Sequence, residues 1–122
     1  MTEQIPGHSH GSDVLAGLRE PSRELRRLIP DVYAGFVELH KAALKPGVLD
    51  VKTKELIALA VAVSKQCDGC IASHARGAAK AGATEAEVAE MLGVTILMNG
   101  GPGTVYGPRA LAAFKEFADA GQ

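Results

Sequence analysis

Eight consecutive apolar residues, Leu56-Ile57-Ala58-Leu59-Ala60-Val61-Ala62-Val63, lie in a chain where nothing alternates with period two for long enough to form a strand. Asp50 precedes them as a helix N-cap, and Lys52, Lys54 and Glu55 occupy the opening turns, so the spacing predicts a helix from Asp50 to about Lys65. Such a helix has no polar face. It must be buried on every side, either as the central helix of the core or as one shared with a subunit interface.

The rest of the chain follows the same helical period. Ser12–Arg19 and Pro21–Leu28 read as two short helices, with Pro21 at the first position of the second. A third should run from Asp31 to Leu44, with Val32, Phe36, Leu39, Ala43 and Leu44 on one stripe and Pro46-Gly47 ending it. A break at Gln66 to Gly69 precedes a helix over Ile71 to Ala81, which Gly82 closes. Thr84-Glu85-Ala86-Glu87 is a capping box for a helix reaching about Asn99, where Val94, Leu97 and Met98 widen the apolar surface. Gly100-Gly101-Pro102-Gly103 reads as a tight loop before a last helix from Tyr106 to Ala118. The expected fold is a compact all-α domain of about six helices spanning residues 13–122, behind a loose tail of residues 1–12. His8 and His10 in that tail read as solvated.

Composition narrows the function. Twenty Ala and 14 Gly, against three Phe, two Tyr and no Trp, imply close helix packing but little area buried per residue, so self-association is expected. Thirteen basic and 14 acidic residues with so few aromatics make a poor nucleic-acid binder. No apolar run approaches the roughly 20 residues of a membrane span, and the start lacks the features of a signal peptide, so a cytoplasmic location is expected. Gly101-Pro102-Gly103-Thr104-Val105-Tyr106-Gly107 fails as a nucleotide loop because no strand precedes it and its spacing is wrong. Arg19, Arg23, Arg26 and Arg27, interleaved with Glu20 and Glu24, read as a solvated face, and His40 as a histidine with no chemical role.

The candidates for chemistry are Glu55, Cys67, Cys70 and His74. On a helix, Cys70 follows Cys67 by three residues and His74 follows Cys70 by four, so all three project along one face. The helix N-terminus favours thiolate, and His74 can accept or relay a proton. Nearness to His74 favours Cys70 as nucleophile; position at the helix start and expected exposure favour Cys67 in exchange with an external disulfide. Glu55, carried into a partly buried site, suits a base near neutrality.

Glu55, eleven residues, Cys67-x-x-Cys70, three more and His74 resembles the active-site signature of the alkylhydroperoxidase D-like family, within the carboxymuconolactone decarboxylase superfamily. The resemblance extends through Asp50–Ile57 and Ala78–Val88, and more loosely through Tyr106–Leu111. It implies an all-helical fold, trimers or hexamers, and thiol-dependent peroxidase or disulfide reductase activity. Glu55 and His74 would handle protons, Cys70 would meet the peroxide, and Cys67 would close a disulfide that an external dithiol donor reduces. No cofactor is required. The family's best-known members carry a further histidine just before the second cysteine, where this chain has Gly69. Two other readings use the same residues: a zinc site of Cys67, Cys70, His74 and Glu55, and a decarboxylase-like lyase acting on a small organic acid or lactone.

Overall fold

In the computed structural model, which describes residues 9–121, six helices follow one another: α1 (Ser12–Leu28), α2 (Pro30–Leu44), α3 (Val51–Ser64), α4 (Asp68–Lys80), α5 (Glu85–Asn99) and α6 (Gly101–Ala120). Two of the starts are set by the caps expected of them. The Asp50 carboxylate accepts the Thr53 N–H at 2.8 Å, and Thr84 with Glu87 completes a reciprocal capping box. Lys52 reaches across from α3 to Glu87 at 2.8 Å, joining the first turns of α3 and α5.

Helices α3 to α6 form the body. Helix α4 lies between α3 and α6, and α5 packs on α6 and α3. The core cluster is Leu59, Val63, Ile71, Val88, Leu92 and Phe114, filled in by Ala62, Ala75, Ala78, Ala110 and Ala113. Alanine at five of these eleven places lets the helix backbones approach closely. Glycine does the same between α5 and α6, where a Cβ on Gly103 would stand 3.0 Å from Ile96 Cα. Helix α1 lies across α4, and α2 rests on α1 with a lighter contact to α3.

Two expectations are corrected, and for α3 one of two alternatives is removed. Ser12–Leu28 is one helix with Pro21 inside it, because α1 lies on the surface and buries no residue. The Gly17 carbonyl that Pro21 leaves without its helical donor is on an exposed residue, open to solvent. The tight loop before the last helix shrinks to Gly100 alone, at φ 69°, and α6 starts at Gly101 with Pro102 in its first turn. Helix α3 is not enclosed within one chain: Leu59, Ala62 and Val63 are buried, but Ile57 is 50% and Val61 49% exposed. Those two line an apolar groove of about 410 Å³ against Met91, Val94 and Met98 of α5. The chain has too few helices to surround α3.

The part of the expected tail that the structure describes is tied down, whereas His8 lies outside the described residues. Glu116 on α6 accepts from the Ser9 and Ser12 hydroxyls at 2.8 Å and from the Gly11 and Ser12 N–H groups at 3.2 Å. Burial pushes the Glu116 carboxyl up, but these hydrogen bonds outweigh it and leave the pKa below the ordinary 4.5. A folded pKa below the unfolded one gives stability that is present above pH 4.5 and lost as pH falls through the folded value. Protection factors at the Gly11 and Ser12 amides are therefore expected to drop on acidification. Glu116→Ala should abolish that pH dependence at a cost of about 1 kcal/mol or less after solvent screening. Unchanged protection in Glu116→Ala would mean that packing on Phe117 holds the segment instead.

A candidate dithiol active site

The turn between α3 and α4 delivers the cysteines. Gln66 takes a left-handed conformation at φ 55°, its N–H bonding to the Val63 carbonyl while the Cys67 N–H bonds to that of Ala62. This is a Schellman closure made with glutamine where glycine is usual, and strain of this kind gathers at functional sites. It sets Cys67 down as the N-cap of α4, where its Sγ accepts the Cys70 N–H at 3.2 Å. Cys67 and Cys70 are joined as a disulfide, with their Cα atoms 5.2 Å apart.

The expected exposures are reversed. Cys70 is the exposed cysteine and Cys67 the half-buried one, because Cys67 tucks under the first turn of α4 while Cys70 stands one turn further out. Helix α4 starts at Asp68, three residues earlier than expected, so the intervening Gly69 is helical too.

One turn on, the second pair meets. Glu55 Oε1 lies 2.7 Å from His74 Nδ1, joining α3 to α4. With the carboxylate accepting, Nδ1 is the donor of this bond, and in the neutral ring that tautomer leaves Nε2 as the acceptor. Glu55 is only 8% exposed, so its carboxyl group is largely withdrawn from solvent. The structure thus brings all four sequence-predicted residues to the start of α4 and the facing side of α3, as two linked pairs. Among the described residues, no group of three or more His, Cys, Asp or Glu is gathered as a metal site.

Two further residues complete the geometry, and sequence reasoning missed both. Gly77, one turn after His74, is the seat of Glu55: a Cβ there would overlap the carboxylate itself. The spacing of three from His74 is the only sequence signal for it. His40 of α2, set aside in the sequence, stacks on His74 with ring centroids 6.0 Å apart and planes 18° from parallel. Phe36 abuts His40 in turn at 6.4 Å.

Comparison with known proteins finds relatives for both the sequence and the fold. Residues 30–119 match the model of the carboxymuconolactone decarboxylase family. A member of that family from Legionella pneumophila is 45% identical, with 84% of this chain and 92% of the other covered and a TM-score of 0.81. A second, from Thermotoga maritima, with a suggested involvement in antioxidative response, is 31% identical over 73% of this chain and 92% of its own, at a TM-score of 0.67. An uncharacterized protein of Cupriavidus necator is 40% identical over 106 residues, 84% of this chain and 94% of that relative.

Proposed function

The chain belongs to the carboxymuconolactone decarboxylase family, and on that footing we propose that it is a thiol-dependent peroxidase or disulfide reductase working through Cys67 and Cys70. The observation that carries the proposal is a cysteine pair close enough to bond across the first turn of α4, one turn from a histidine that a buried carboxylate orients. Glu55 holds the His74 tautomer whose Nε2 draws the proton from Cys70. The Cys70 thiolate attacks the outer oxygen of a hydroperoxide; the O–O bond breaks, and the departing alkoxide takes the proton from His74 and leaves as an alcohol. Cys70, now a sulfenic acid, condenses with the Cys67 thiol to give the disulfide and water.

An external dithiol closes the cycle. Its thiolate attacks the exposed Cys70 sulfur, and Cys67 leaves as a thiolate that the Cys70 N–H and the α4 N-terminus stabilise. The donor supplies two electrons and is itself oxidised to a disulfide. Return to the dithiol suits the reducing cytoplasm.

Intact-mass measurement after one equivalent of hydroperoxide tests the reading. The reduced wild-type chain should lose two hydrogens, and Cys67→Ser should trap a single added oxygen on Cys70. A wild-type pair that stays reduced on prolonged exposure ends the peroxidase proposal.

The same reading includes self-association into a trimer or hexamer. The groove between α3 and α5 contains no charged residue, and Leu97 and Met98 beside it are 79% and 77% exposed. A second copy would cover this apolar face, which a solitary soluble chain would leave to water. Sedimentation should give a trimer or hexamer mass, and a Val94→Asp, Met98→Asp double variant should sediment as the monomer. A wild-type monomer at micromolar concentration would refute the assembly.

A further inference from the structure

We propose that the cleft enclosed by α1, α2 and α4 is the substrate-binding site and that it takes an amphipathic carboxylate, an apolar chain with an anionic head that carries the hydroperoxide. The proposal rests on the dithiol reading of the centre. It goes beyond that reading in naming where substrate sits and which charge it bears.

The cleft encloses about 680 Å³, within the range of small-molecule sites. Its apolar walls come from Leu18 of α1 and from Phe36 and Val37 of α2, all well exposed. Its floor is Gly69 and Ser73, the residues immediately before Cys70 and His74, and His40, the ring stacked on His74, borders it as well. An occupant of this cleft therefore lies against the segment that bears the dithiol and its proton carrier. Gly69 lets the wall come close: a Cβ there would come within 2.9 Å of Leu18 Cδ1, so a larger residue would push that side chain into the cleft or aside.

The charge around the cleft is one-sided. Arg19, Arg26, Lys41 and Arg76 line it, and no carboxylate does. Lys41 has a partner in Glu38 at 3.7 Å, and Arg26 is held over the Tyr33 ring at 5.2 Å. Arg19 and Arg76 pair with no carboxylate among the described residues, although they come from different helices, α1 and α4. Two of the four arginines of the solvated α1 face, Arg19 and Arg26, thus border one concavity with a cation from α4. Like charges gathered without counter-charge repel, and an anion seated between them relieves that repulsion while its chain covers the apolar walls. A neutral alkyl hydroperoxide would leave the cations unanswered, and a small inorganic anion would leave the walls bare.

The test uses the full chain in its disulfide form, so that binding is read apart from chemistry, with decanoate and decanol as probes in titration calorimetry. Decanoate is expected to bind about tenfold more tightly than decanol. An Arg19→Gln, Arg76→Gln double variant, at exposed positions that the fold does not need, should erase that preference and leave decanol binding unchanged. Equal binding of the two probes, or a decanoate preference that survives the double variant, overturns the proposal. Oxidation of the reduced chain by tert-butyl hydroperoxide, which has no carboxylate, judges the dithiol reading separately. Disulfide formation without decanoate preference sinks the cleft alone; a decanoate preference without oxidation by any hydroperoxide sinks the dithiol reading alone.

Discussion

Glu55→Gln is expected to slow peroxide-driven formation of the Cys67–Cys70 disulfide by about 10²- to 10⁴-fold, the usual contribution of a positioned acid–base pair. Glutamine keeps the shape and can still accept from His74 Nδ1, but it removes the negative charge that stabilises the imidazolium formed when Cys70 gives up its proton. Gly77→Ala should produce a loss of the same order without touching any group that handles a proton. The new methyl occupies the space of the Glu55 carboxylate, which must swing away and release His74. Alanine also favours the helix by about 1 kcal/mol over glycine, which offsets part of the clash, so the variant should remain folded. Because both changes break one interaction, the double variant should be little slower than either single one. Time-resolved intact mass gives all three rates. A wild-type rate in Gly77→Ala would show that the seat of Glu55 is dispensable, and additive losses would show that the two residues act separately.

Phe114→Ala is expected to cost about 3–5 kcal/mol, the largest stability loss of any single truncation in this chain. Phe114 is the largest fully buried side chain, and Ala110 and Ala113 of its own helix, with Ala75 and Ala78 of α4, belong to the same core cluster. Alanine has no side-chain rotamers with which to refill a cavity, so the space left by the ring stays largely empty. Since a small domain holds only about 5–15 kcal/mol in total, this one change should take a large part of it. Urea unfolding of the reduced chain measures the loss, and a value below about 1 kcal/mol would mean that the body repacks around the gap.

Much of the fold was legible because it is local. The Asp50 and Thr84–Glu87 caps, the Gly82 closure and the helical period each involve residues within five positions of one another, and each appears where the sequence places it. Errors arose where a local rule met a tertiary exception. Pro21 ends a helix in isolation, yet α1 continues through it because the carbonyl left without a donor is open to solvent. Gly100 absorbs the whole reversal into α6 because one residue at positive φ suffices and Pro102 is already suited to a first turn.

The candidate site divides in the same way. Cys67, Cys70 and His74 share one helix face by spacing alone, and Glu55 stands out as a carboxylate heading an apolar helix. What spacing cannot express is which side chain of one helix meets which of another. That depends on crossing angle and separation, and these emerge only when all the helices pack together. Gly77 therefore read as one glycine among 14, and His40 as a histidine without companions, until α3 packed on α4 and α2 brought the His40 ring over His74.

The sequence by itself determined an all-helical chain, the spacing that puts Cys67, Cys70 and His74 on one helix face, and the broad apolar surfaces of α3 and α5, because these follow from periodicity, capping and composition. Only the tertiary structure decided that Glu55 rests on Gly77 and bonds to His74, that Cys70 is the exposed cysteine, and that two arginines of α1 border one cleft with Arg76. Each of these is a contact between helices, and contacts between helices are set by how the whole core closes.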